Sequence, residues 1–209
     1  RQRTILWGPP KALSVDCRFP WECAKSHDQG LSVEGIAVLS DRDEIRRMHT
    51  LRQAEGYLEL DMPEAALKVL NQLGDSDVLG AHGLYLFGEA LRSMERYCEA
   101  LVPLSKVATL APEDPHVSLA LAWCYKRVGR LENAINSMER ALQYSADCAI
   151  LHYNLACYLS LAQRVRRSLN HLSRAFTLDP KLRDLVDDEL DFDPIRSDPG
   201  FVALMNLVA

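Results

Sequence analysis

Residues 115–148 read PHVSLALAWCYKRVGRLENAINSMERALQYSADC, and residues 149–182 read AILHYNLACYLSLAQRVRRSLNHLSRAFTLDPKL. Laid over one another without a gap, the two blocks match in kind. Ala122 falls on Ala156, Tyr125 on Leu159, Ala134 on Ser168, Met138 on Leu172 and Ala141 on Ala175. The same frame continues towards the N-terminus. The small-residue column runs back through Gly88 to Ala54, and the large column beside it through Leu91 to Tyr57. In the second half of each block, Ala66-Leu67, Ala100-Leu101, Ala134-Ile135 and Ser168-Leu169 keep step, as do Leu70, Leu104, Met138 and Leu172. A period held by several columns at once marks an internal repeat.

Within a block the apolar positions recur at three and four residues, the helical period. In 115–148 the first helix carries Leu121, Ala122 and Tyr125, and the second carries Leu131, Ala134, Ile135, Met138, Ala141 and Leu142. Small residues let two backbones approach where helices cross, and large ones fill the space beside the crossing. Val128-Gly129-Arg130 forms the link, where glycine ends a helix in the left-handed conformation. One such hairpin cannot bury its own apolar face, so neighbours must stack.

Repeat length and column identities resemble the tetratricopeptide repeat family. The frame gives an array over 47–182, divided 47–80, 81–114, 115–148 and 149–182. The first repeat departs most: Gln53 stands where the others have Phe87, Leu121 and Leu155, and Gly74 interrupts its second helix. The resemblance implies an all-α fold, a right-handed superhelical α-solenoid of about four helical hairpins with a C-terminal capping helix. It also implies that the first helices line a concave groove. On that geometry the partner-binding residues are Tyr85, Glu89 and Arg92 from the second repeat, His116, Leu119, Trp123, Lys126 and Arg127 from the third, and Tyr153, Asn154 and Cys157 from the fourth. Aromatic residues and arginine are the types enriched at binding hot spots, and an asparagine amide can both donate to and accept from a peptide backbone. Family members that grip a terminal carboxylate use a Lys, Arg and Asn set. Leu51, Glu55, Tyr85, Glu89 and His116 occupy those places here, so that grip is not expected.

The two ends leave the frame. Leu182, Leu185, Val186 and Leu190 suggest one further helix, and Phe201, Leu204, Met205 and Val208 a short amphipathic one after Asp198-Pro199. Together, 183–209 is expected to cap the array, with Asp184, Asp187, Asp188, Glu189, Asp191 and Asp193 as its polar outer face. Residues 1–46 show no sustained period and are expected to be an atypical or poorly ordered segment, with a short helix near Asp41–Thr50.

The remaining sequence limits the function. Net charge is −5, which argues against nucleic acid as the main partner. No apolar run approaches the roughly 20 residues of a membrane span, and the first residues lack a signal-peptide pattern. The six cysteines include no Cys-x-x-Cys pair, so a reducing, cytoplasmic setting is expected. Cys17, Cys23 and His27 fall short of a zinc set, and the acidic tail lacks the spacing of a calcium loop. Neither a phosphate loop nor a nucleophile motif is present. No metal or cofactor is expected. The basic row Arg164, Arg166, Arg167, His171 and Arg174 is expected to pair with the acidic tail or stay solvated. The function expected is a non-catalytic adaptor or scaffold that holds a protein or peptide segment. A secretion-type chaperone and a regulatory part of an enzyme are the alternatives.

Overall fold

The computed structural model describes residues 41–74 and 76–206, and among these there is no strand. Eight α-helices run in order: α1 Asp41–Glu59, α2 Pro63–Leu70, α3 Ser76–Ser93, α4 Tyr97–Leu110, α5 Pro115–Arg127, α6 Leu131–Tyr144, α7 Ala149–Leu161 and α8 Val165–Leu178. Helices α2, α4, α6 and α8 start at 63, 97, 131 and 165, so the 34-residue period of the sequence is the period of the backbone. Helix α1 begins at Asp41, ahead of the first full repeat. Helix α3 bends at Gly80, whose positive φ of 63° separates a leading turn from the repeat proper. Cys17, Cys23 and His27 lie outside the described residues.

The turn inside each hairpin repeats as closely as the helices. Asp61, Glu95, Gly129 and Gln163 all have φ between 56° and 75°. The next residue's N–H then reaches back to a carbonyl five residues earlier: Met62 to Tyr57, Arg96 to Leu91, Arg130 to Tyr125 and Arg164 to Leu159. This is the six-to-one bond that closes a helix through a left-handed residue. Only Gly129 uses the residue that adopts it without steric cost.

The small-residue column sits at the helix crossings. Ala54, Ala122 and Ala156 are fully buried. At Gly88 an added Cβ would lie 2.6 Å from Leu104, so this crossing has no room even for a methyl group. Ser168 Oγ donates to the Ala156 carbonyl at 2.8 Å, which ties α8 to α7 at the equivalent crossing. Around these contacts Leu70, Leu104, Met138 and Leu172 are all inaccessible to solvent. Each such side chain contributes roughly 1.5–3 kcal/mol. One apolar cluster extends from Leu51 on α1 to Cys124 on α5, a second from Leu119 on α5 to Phe201, and Tyr125 touches both. Contacts join each helix to its immediate neighbours, as expected of an α-solenoid.

The C-terminal segment differs from the expected helix. Two 3₁₀ segments, Pro180–Leu185 and Leu190–Ile195, replace it, followed by α9 at Pro199–Asn206. The chain reverses between the 3₁₀ segments because Arg196 gathers the carbonyls of Val186, Asp187 and Glu189 at 2.9–3.0 Å. Two of the acidic residues read as outer face are in fact buried. Glu189 and Asp191 point inward, while Asp184, Asp187, Asp188 and Asp193 are exposed. The basic row does not pair with the tail either. Arg164 pairs with Glu132, Arg167 with Glu139 and Arg174 with Asp147, all from the preceding repeat. These long side chains reach from α8 to α6 and to the link after it.

Candidate partner-binding site

The first helices of the repeats, α1, α3, α5 and α7, form one row, with α1 touching α3, α3 touching α5 and α5 touching α7. The residues expected to face a partner lie along this row in three different environments.

On α3, the Glu89 carboxylate accepts two hydrogen bonds from Arg92, both at 2.8 Å. The two side chains are about 10% exposed, so the pair is largely desolvated and rigid. Tyr85 is buried beside it, and burial pushes its phenol well above the usual range. The same pair neighbours Cys124, whose thiol burial raises to about 12. That thiol is a packed side chain and not a nucleophile. His82 Nε2 lies 2.7 Å from Glu55 of the preceding repeat.

On α5, Leu119 is buried in the core and Asp114 caps the helix by accepting from the His116 N–H at 2.8 Å. Trp123 is half-buried and Arg127 exposed. The Lys126 ammonium stands 5.1 Å from the Trp123 ring centroid, and the Arg127 guanidinium 5.1 Å from that of Tyr97, both within cation–π range.

On α7 the expected groove residues are covered. Tyr153 and Cys157 are buried by the chain's own C-terminal segment. Phe192 meets the Tyr153 ring edge-on, with centroids 5.7 Å apart. Asp191 pairs with Lys126, one repeat back. The Cys157 Sγ and the Glu189 and Asp191 carboxylates gather within 4.8 Å of one another. Lys126 supplies the positive charge there, and burial holds the Cys157 thiol protonated, so the donors do not present a thiolate. Burial, reinforced by the Asp191 charge, raises the Glu189 carboxyl. Asn154 is also buried, and its Nδ2 donates to the Ile150 carbonyl of its own helix at 2.9 Å. Tyr85, Leu119, Tyr153, Asn154 and Cys157 are therefore interior in this structure, and the surface of the row is left to Trp123, Arg127 and their polar neighbours. Tyr85, Leu119 and Tyr153 share one column of the repeat and are all buried, whereas Cys157 differs from the half-buried Trp123 at the equivalent place, a difference made by residues of the distant C-terminal segment.

A tetratricopeptide repeat model matches residues 115–148. The match coincides with one block of the four-fold helical period, so residues 115–148 carry a tetratricopeptide repeat. Superkiller protein 3 of Schizosaccharomyces pombe is 26% identical over 141 residues, 65% of this chain. The chain spans about a tenth of that relative's length. Among solved structures, the array is similar to MamA of Desulfovibrio magneticus RS-1, with a TM-score of 0.59 at 20% identity, covering 81% of this chain and 97% of that one. A further MamA crystal structure gives a TM-score of 0.65 at 12% identity, with 77% and 88% covered. These likenesses concern the fold. Tetratricopeptide arrays are protein–protein interaction scaffolds, and among the described residues no helix is long and apolar enough to cross a membrane.

A histidine pair between the last two helices of the array sets a pH dependence. His152 Nε2 lies 2.9 Å from the Ala146 carbonyl, which can only accept, so this nitrogen carries hydrogen. In that tautomer Nδ1 is the acceptor, and His171 Nδ1 lies 2.9 Å away as its donor. Burial, the neighbouring His152 and Arg167 all lower the His171 pKa, against a smaller opposing effect of Glu139. The unfolded imidazole takes up its proton near pH 6.5, before the folded one does. Stability is therefore full above that value and is lost as pH falls towards the folded pKa. Urea denaturation between pH 7.5 and 5 will show this slope in the wild type and a shallower one in His171→Gln. Equal slopes would remove the pair from the account.

Proposed function

We propose that this chain is a non-catalytic adaptor that holds a segment of a partner protein along the row of first helices, over α3 and α5. The observation that carries the reading is the character of that row. Trp123 is half-buried with a cation over its ring, Arg127 is exposed, and the Glu89–Arg92 pair beside them is fixed in a bidentate geometry. Aromatic and arginine side chains on a rigid support lose little entropy on binding, which leaves more of the contact energy as affinity. The fourth repeat contributes less to this surface, because its own tail covers Tyr153 and Cys157.

Affinity capture with the full chain, compared between wild type and Trp123→Ala, tests the reading. Truncating a half-buried tryptophan at a hot spot costs roughly 2 kcal/mol or more of binding, about a thirtyfold loss in affinity. Proteins retained by the wild type and lost by a variant with an unchanged helical circular-dichroism signal are the expected result. An identical set captured by both chains would contradict it.

A further inference from the structure

The C-terminal segment does more than close the end of the solenoid. A cap has to cover the apolar faces of the last hairpin, α7 and α8. Phe192 on Tyr153, Ile195 and Phe201 do that with apolar side chains. The Asp191–Lys126 ion pair is not needed for that task. It reaches past α7 to α5, onto the row of first helices, and takes two charges largely out of water. A buried pair of this kind is weak evidence for stability, and fixing register is its best-attested use. Asp191 and Phe192 therefore sit on the row as a bound segment would, carboxylate on Lys126 and aromatic ring on Tyr153.

The segment is also shaped by its own contacts. Glu189 accepts from the Asp191 N–H at 3.2 Å, and Arg196 binds three carbonyls of 186–189 while its Nε donates to Asp193 at 2.7 Å. These contacts lie within the segment itself and not with α7, and a ligand held in shape by its own contacts binds at lower entropic cost.

We propose that residues 189–195 are a built-in ligand of the α5–α7 face, and that this face accepts an external segment in which an acidic residue is followed directly by an aromatic one. The inference rests on the adaptor reading above and names the partner chemistry for the fourth-repeat end of the row. Covalent attachment gives the chain's own segment a high effective concentration, so an external segment meets an occupied surface.

The test uses a fluorescein-labelled peptide of residues 186–198, titrated by anisotropy into the full chain. The wild type is compared with the double variant Asp191→Asn/Phe192→Ala, whose attached segment is weakened. The peptide is expected to bind the variant at least tenfold more tightly than the wild type, and a peptide bearing the same two changes is expected to bind neither. Equal binding to both chains, or none to a variant that keeps its helical signal, overturns the proposal. If the double variant melts below assay temperature, hydrogen exchange of the wild type decides. Millimolar wild-type peptide should speed exchange at 190–195, and unchanged exchange overturns the proposal. A negative peptide result removes only the segment's role as a ligand. The capture comparison with Trp123→Ala tests the adaptor reading by itself.

Discussion

Phe192→Ala is expected to destabilise the protein by about 3–5 kcal/mol, the usual cost of emptying a fully buried aromatic site. Phe192 has no solvent-accessible surface and packs against Tyr153 on one side and Phe201 on the other, with centroids 5.7 and 5.9 Å away. Loss of the ring leaves a cavity between the array and its last helix, and it removes an edge-to-face contact as well as transfer energy. Domains are stable by only about 5–15 kcal/mol, so the variant should unfold at markedly lower urea. Leu190→Ala, two residues away but largely exposed, is the control and should change stability by about 0.5 kcal/mol or less. A Phe192→Ala midpoint close to that of Leu190→Ala would mean that the segment is not packed on α7.

Lys126→Met should cost about 2–3 kcal/mol. Breaking a fully buried pair costs about 3–5 kcal/mol. Here the side chains keep 17% and 12% of their exposure, so some water still reaches the stranded carboxylate and the loss is smaller. The stranded group is Asp191, beside Glu189 and left without its cation. Adding Asp191→Asn should recover much of the loss, so that the double variant is less destabilised than the sum of the two single ones. Strict additivity in urea denaturation would show that the two side chains do not interact.

The 34-residue period was legible because every repeat solves the same packing problem with the same kinds of residue. Gly88, Ala122 and Ala156 mark crossings, while Leu104, Met138 and Leu172 fill the space beside them. These are local and periodic constraints, and they placed the hairpins and their turns. The period also contained the pairing of the basic row, since Arg164, Arg167 and Arg174 meet acids from the second helix of the preceding repeat or the link after it. Their proximity to the acidic tail in sequence pointed the other way. The tail itself was not legible. Leu182, Leu185, Val186 and Leu190 have a helical spacing, yet Arg196 holds 186–189 in a reversal through backbone carbonyls, which leave no pattern in side chains. Tyr153 and Asn154 fall on Leu119 and Ala120 of α5, which are buried as well, so the period itself marks those two places as interior. Cys157 falls on the half-buried Trp123, and there the acidic residues of the C-terminal segment make the difference, which no local rule predicts.

Hydrogen–deuterium exchange of the full chain, resolved by segment, tests the arrangement most directly. The protected segments should recur every 34 residues through α4, α6 and α8, with 190–195 protected alongside α7. Rapid, chain-like exchange at 190–195 beside a protected α7, or protection that breaks the 34-residue interval between 97 and 178, would contradict a repeat array whose final face is filled by its own C-terminal segment.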